Sequence, residues 1–329
     1  MYQLHDVEGA LELITSPPLI LPVARLYSIR SGLLEGLSKY QIYFILRRPR
    51  ISIVPGTLHY DGEFLRLQVI AQVKDQFERF EVNGTLPDFS GLLPAGWVPT
   101  KIWADDQYPS SIIYIQADCL SEGEAVEYTL TDFLMMNGVH RPDLEHFSVD
   151  YIGHSLGKGG VKGAIERLVG KSGKRSSHEH LQKILVELNS KHPDQEAFVA
   201  LFSFEGQRRL VAGGATQFAP VHQFDDDPER VFRFIDHPIS RSARIKLAEA
   251  SLIRYFRPKY NDRYKDSFPQ RSHRILDTIR EIDMTGLLVG FSTDQPAALF
   301  YTETIKASHS HQVFHKIRDD EDRASILDL

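Results

Sequence analysis

Three dipeptides punctuate the first hundred residues: Pro55-Gly56, Asp61-Gly62 and Asn83-Gly84. Each signals a chain reversal, because proline and glycine supply turn geometry that a continuing helix or strand rarely adopts. The runs around them, 40–46, 51–54, 64–73 and 77–82, with 112–117 further on, are rich in Val, Ile, Phe and Tyr. Such close spacing leaves no room for long helices, so residues 1–120 are expected to form a β-rich N-terminal domain.

After Ser121-Glu122-Gly123-Glu124 the pattern changes. Helices are expected over 131–137, 164–169, 178–189 and 245–256, the last stopping before Pro258. Strands are expected over 147–153, 196–204, 209–211 and 231–235, with a glycine-rich loop at 157–163. The middle segment, 121–275, reads as one domain with an insertion at about 190–244. The last segment, 276–329, returns to β character at 286–291 and 297–304 and is expected to complete a sheet begun near the N-terminus. The class that follows is α+β.

Composition narrows the chemistry. With 42% hydrophobic and 25% charged residues the chain is ordinary globular material. A single cysteine, Cys119, excludes an internal disulfide and a multi-cysteine zinc site. The start lacks a basic segment followed by an apolar core, and runs such as 18–23 and 287–291 are too short to span a bilayer. A soluble cytoplasmic protein with no membrane partner is therefore expected.

The net charge of −6 argues against a chain that coats nucleic acid, but distribution matters more than the sum. Lys158, Lys162, Arg167, Lys171, Lys174, Arg175 and Lys183 face only Glu166 and Glu179 within 158–183. A second basic stretch, 254–274, holds Arg254, Arg257, Lys259, Arg263, Lys265, Arg271 and Arg274 against Asp262 and Asp266. Two basic segments in an acidic chain suit a local phosphate-binding surface, although solvated faces would show the same pattern.

One carboxylate is out of place. At 100° per residue, Glu249 falls about 40° from Ile245, inside the arc that holds Leu252, Ile253 and Phe256. A carboxylate in an apolar face needs a cation, a metal or a full set of hydrogen bonds, so Glu249 is either a catalytic or metal-binding group or half of a static ion pair. His178 lies at the edge of the stripe formed by Leu181, Ile184, Leu185 and Leu188, and Arg167 lies on the rim of its short helix. Both positions suit groups that face a cleft, as well as groups that face water.

The order of these residues resembles the GIY-YIG endonuclease superfamily over about residues 138–265. Tyr151-Ile152-Gly153 is followed by the helix with Arg167, the start of a helix at Ser176-Ser177-His178, Glu249, and Arg257-Pro258-Lys259-Tyr260-Asn261. The resemblance implies a small mixed sheet flanked by helices and hydrolysis of phosphodiester bonds in nucleic acid, DNA being the first choice. It also implies catalytic roles for Tyr151, Arg167, His178 and Glu249. Tyr151 would orient or deprotonate the attacking water, and Arg167 would stabilise charge on the phosphate. Glu249 would hold one Mg²⁺ (or Mn²⁺), and Asn261 would support the site. Lys158, Lys162, Arg257, Lys259 and Asn261 would meet the nucleic acid. The first tyrosine of the family motif should precede Tyr151 by eleven residues, where His140 stands; Tyr128 is the substitute on an earlier run. Defence against foreign DNA is a setting the family suggests. A module that binds nucleic acid without cutting it is the alternative, and the N-terminal domain would bind a protein partner or a second copy.

Overall fold

The computed structural model describes residues 7–15, 17–28, 39–89, 92–156, 163–169, 179–212, 227–270, 272–294 and 298–317. Lys158, Lys162 and His178 lie outside them. The chain is a mixed α+β protein with a strand-rich N-terminal region. It opens with strands β1 (Val7–Thr15), β2 (Leu19–Pro22) and β3 (Ile42–Ile53). Next come β4 (His59–Tyr60), β5 (Phe64–Val73), β6 (Gln76–Thr85), β7 (Pro99–Ala104), β8 (Ile112–Ala117) and β9 (Val126–Thr129). Helices α1 (Leu130–Met136) and α2 (Pro142–Glu145) lead to β10 (His146–His154), α3 (Ala164–Val169) and α4 (Glu179–Lys191). Strands β11 (Gln195–Phe202) and β12 (Phe204–Ala212) precede α5 (Asp227–Asp236), α6 (Arg241–Phe256) and α7 (Asp277–Glu281). The described chain closes with β13 (Gly286–Ser292), β14 (Leu299–Tyr301) and β15 (Ser310–Lys316).

Contacts divide the chain into two units, Met1–Leu46, Phe147–Leu185 and Ala197–Leu329 in one, Arg47–His146 and Val186–Glu196 in the other. Both are discontinuous in sequence, unlike the contiguous segments expected with boundaries at 120 and 275. The chain passes from the first unit to the second partway along β3 and returns at β10.

The first unit holds two sheets. One has the order β12-β1-β13-β15, with β1 antiparallel to β12 and parallel to β13. The C-terminal strands thus join a sheet with the N-terminal one, as expected, although β1 and β15 were missing from the sequence reading. The other follows the path β14-β10-β3-β11-β2. Residues 195–212, inside the stretch read as an insertion, build β11 and β12 of these sheets. The core is aromatic: Phe44 lies 4.6 Å from Phe202, 5.7 Å from Phe256 and 5.7 Å from Phe291, ring centre to ring centre. The last two are edge-on, an arrangement that adds to the burial of each ring.

The run 231–235, read as a strand, is the middle of helix α5. Arg230 and Phe234, four residues apart, are buried, while Phe232 and Ile235 are exposed, so burial follows the helical period and overrides the β propensity of the residues. Pro228 stands in the first turn, where its missing N–H costs nothing. The Arg208 guanidinium donates to the carbonyls of Ile235 and His237, satisfying the helix C-terminus.

The second unit combines the end of β3 with β4, β5 and β6, and a separate three-stranded sheet β7-β8-β9. Its core joins Ile51, Leu67, Val69, Ile113, Ile115 and Phe133. Two of the three reversal signals form turns, with Gly56 and Gly62 at positive φ of 75° and 103°. Asn83-Gly84 instead lies inside β6, paired with Arg66 and Leu65. Gly84 is needed for close approach, since a side chain there would overlap the Asn137 amide that bonds Thr85. The actual β5–β6 turn is Lys74-Asp75, with Lys74 left-handed at φ 58°. It lacks the glycine or proline that marks the other turns.

Candidate functional site

Helix α6 positions the acidic residue. Its N-terminus is capped by Ser240 Oγ, which accepts from the Ala243 N–H at 3.1 Å. It ends where Arg257 turns left-handed (φ 51°) before Pro258. Burial is not confined to the stripe seen in sequence, for Ala250 and Ser251 are enclosed as well. On that second face His315 Nε2 shares a hydrogen bond with Ser251 Oγ at 2.9 Å, and His311 Nδ1 one with Tyr255 Oη at 3.2 Å. His311 and His315 are thus buried ties between β15 and α6.

Burial, the largest cause, pushes His315 down to about 4 from 6.5, against its bond to Ser251 and with help from Arg254. The folded protein therefore keeps this histidine neutral while the unfolded chain protonates it below pH 6.5. Stability is complete above that pH and falls as pH drops toward 4. We expect a loss of about 2–3 kcal/mol from His315 between pH 7 and 4.5. His311 is shifted in the same direction by burial. Urea unfolding of wild type and His315→Gln at both pH values checks this; equal pH dependence would remove His315 as its source.

Strand β10 is buried from Phe147 through Gly153, as an inner strand of its sheet must be. A short loop after α6 is stitched to it. The Tyr260 N–H donates to the Asp150 carbonyl at 3.0 Å. The Asn261 amide continues the strand ladder: Oδ1 accepts from the Ile152 N–H at 2.9 Å and Nδ2 donates to the Ile152 carbonyl at 2.8 Å. Asn261, expected both to support the site and to touch nucleic acid, ties the loop to β10. Its side chain is buried and both ends of the amide are engaged with the strand, which leaves it no free group for a nucleic-acid contact.

Two tyrosines meet at the end of this strand. Tyr43, on the neighbouring strand β3, is fully buried and donates a hydrogen bond to the hydroxyl of Tyr151, with ring centres 6.1 Å apart. Burial raises the pKa of both hydroxyls. The Glu249 charge raises them further and the Arg167 charge opposes it. That mutual influence brings Tyr43, Tyr151, Arg167 and Glu249 into one electrostatic neighbourhood. Arg167, exposed on α3, also donates to the His154 carbonyl at 2.6 Å. His154 Nδ1 in turn stands 2.7 Å from Glu249 Oε2.

Sequence reasoning missed Tyr43 and His154. Of the residues considered for the first tyrosine, His140 pairs with Glu145 at 2.7 Å, and Tyr128 packs on Phe89 and Phe133. The tyrosine that stands beside Tyr151 is Tyr43. Its signal was the triplet Gln41-Ile42-Tyr43, hidden in a run read only as strand and separated from Tyr151 by the whole of Arg47–His146.

Gly153 is explained by the same packing. A Cβ there would sit 2.5 Å from Tyr43 Oη and 2.8 Å from a ring carbon of Tyr151. Gly153→Ala is expected to cost about 1–3 kcal/mol through overpacking and to displace the Tyr43 hydroxyl. Urea unfolding measures the first, and the lost quenching of tyrosine fluorescence by the altered pair the second. Unchanged values for both would show that the strand yields freely.

Of the other residues assigned to nucleic acid, Arg257 is exposed and paired with Asp266 at 2.7 Å, and the Lys259 ammonium lies 4.9 Å over the ring of Tyr260. Among the described residues no three His, Cys, Asp or Glu side chains gather as a metal site. Glu249 and His154 are the pair of ligand-type groups at this site. Among the same residues no helix is long and apolar enough to cross a membrane. No protein-family model, no curated protein and no solved structure matches this chain.

Proposed function

We propose that the chain is a metal-dependent endonuclease of the GIY-YIG type, with Gln41-Ile42-Tyr43 and Tyr151-Ile152-Gly153 as the two halves of its motif. The observation that carries the reading is the meeting of Tyr43, Tyr151, Arg167 and Glu249, from four separate elements, around one buried hydroxyl pair. Hydrolysing a phosphodiester needs a base for the water, a cation beside the phosphate and a site for a divalent ion.

Of the two tyrosines, Tyr151 is 9% exposed and Tyr43 fully enclosed, so Tyr151 addresses the attacking water and Tyr43 is a positioning residue. By donating to the Tyr151 oxygen, Tyr43 stabilises the phenolate that forms when the proton leaves. Arg167, exposed beside them, meets the charge that develops on the phosphate. Glu249 would hold Mg²⁺ or Mn²⁺, which supplies charge neutralisation to the phosphate oxygens.

Charge favours the first unit, with 29 basic and 26 acidic residues, over the second, with 9 and 18, as the nucleic-acid surface. The acidic second unit repels phosphate, which suits it to a protein partner or a second copy of the chain. The test is incubation of the purified protein with plasmid, single-stranded DNA and RNA, with Mg²⁺, with Mn²⁺ and with EDTA. Cleavage that EDTA abolishes is the expected result. Binding without cleavage on every substrate would leave a nucleic-acid-binding module.

A further inference from the structure

We infer that His154 is a second ligand, through Nδ1, for the divalent ion at Glu249, and that it tilts this site toward Mn²⁺ over Mg²⁺. This rests on the reading of Glu249 as the metal carboxylate. Three observations carry it.

The first is position. His154 ends β10 directly after Gly153, and its carbonyl accepts from Arg167 Nη1 at 2.6 Å, so the backbone bearing the imidazole is held at the site. The second is geometry. His154 Nδ1 and Glu249 Oε2 are 2.7 Å apart, yet the approach lacks the alignment of a hydrogen bond, and Nδ1 is shielded from solvent. A buried nitrogen without an aligned partner is costly. Two ligand atoms aimed at one ion at roughly right angles, each at about 2.1 Å, would stand about 3 Å apart. The pair is within a few tenths of an ångström of that arrangement. The third is chemistry. Mg²⁺ favours oxygen ligands and retains its water, whereas imidazole nitrogen suits transition ions. A carboxylate alone serves either ion; a carboxylate with an imidazole favours Mn²⁺.

The experiment uses the full chain without nucleic acid and reads Mn²⁺ binding by electron paramagnetic resonance, with Mg²⁺ as competitor. Nitrogen coordination is read from the ¹⁴N modulation of bound Mn²⁺. Wild type is expected to bind Mn²⁺ with that modulation. His154→Ala should weaken Mn²⁺ binding by about tenfold or more, lose the modulation and leave Mg²⁺ binding little changed. His154→Asp restores an oxygen ligand, so it should bind without modulation and prefer Mg²⁺; it also serves if the alanine variant fails to fold. Glu249→Gln should lose both ions. Modulation that persists in His154→Ala, or Mn²⁺ bound there as tightly as in wild type, overturns the role of His154 and leaves that of Glu249 standing. Undiminished binding by Glu249→Gln, or no binding by wild type, overturns both.

Discussion

Glu249→Gln is expected to lower metal-dependent cleavage by about 10²–10³ or more, the loss that follows removal of one electrostatic stabiliser from a transition state. The substitution keeps the size of the side chain and removes its charge. Glu249 lies on a helix enclosed along its middle, with its side chain 14% exposed, so the glutamine occupies the same space. Binding of nucleic acid in EDTA should be nearly unchanged, because Arg167 and the basic residues of the first unit are untouched. The fold should persist, since α6 is held by its apolar stripe and by the Ser251–His315 and Tyr255–His311 contacts on the other face. Cleavage by the variant at the wild-type rate would sink the assignment of Glu249 as the metal carboxylate. Losing nucleic-acid binding along with cleavage would instead give Glu249 a structural part.

The second large effect is on stability. Arg230→Ala is expected to destabilise the first unit by about 3–5 kcal/mol, the range for breaking a buried ion pair from one side. Arg230 on α5 is 2% exposed; its Nε donates to Asp283 Oδ2 at 2.6 Å and its Nη2 lies 3.9 Å from Glu8 Oε2. Glu8, on β1, is fully buried and also accepts from the Thr285 hydroxyl at 2.8 Å. Alanine removes the guanidinium from the Glu8 carboxylate and opens space beside Phe234, so desolvation and packing losses add. Denaturant unfolding of Arg230→Ala beside the double variant Arg230→Ala/Glu8→Gln separates them. The second change should recover part of the loss by removing the buried charge. A single variant within about 0.5 kcal/mol of wild type, the range of an ordinary surface change, would show that the cluster contributes little.

Local signals were legible where a single segment decides its own structure. The sequence located β5 and β8 and the helix Ala164–Val169 at their observed bounds, because runs of branched and aromatic residues or a four-residue apolar repeat act over a few neighbours. Glu249 was legible for a similar reason: a carboxylate inside an apolar arc is anomalous before any partner is known. Asn83-Gly84 misled because glycine serves turns and close approach alike, and only Asn137, far along the chain, says which applies. The run 231–235 misled because its β-forming residues follow the burial imposed where α5 packs on β1, with Phe234 against Gly9.

Which residues come together was decided by the tertiary structure alone. Tyr43 reaches Tyr151 because β3 and β10 are neighbours in one sheet, although the unit Arg47–His146 lies between them in sequence. No local pattern encodes a pairing across such a distance, since periodicity reports which face a residue takes and not which strand lies beside it. His154 was equally silent, as one histidine after a glycine is unremarkable until Arg167 holds its backbone and Glu249 meets its ring. Residue types and their local geometry were written in the sequence; their partners were set by the order in which the sheet assembles its strands.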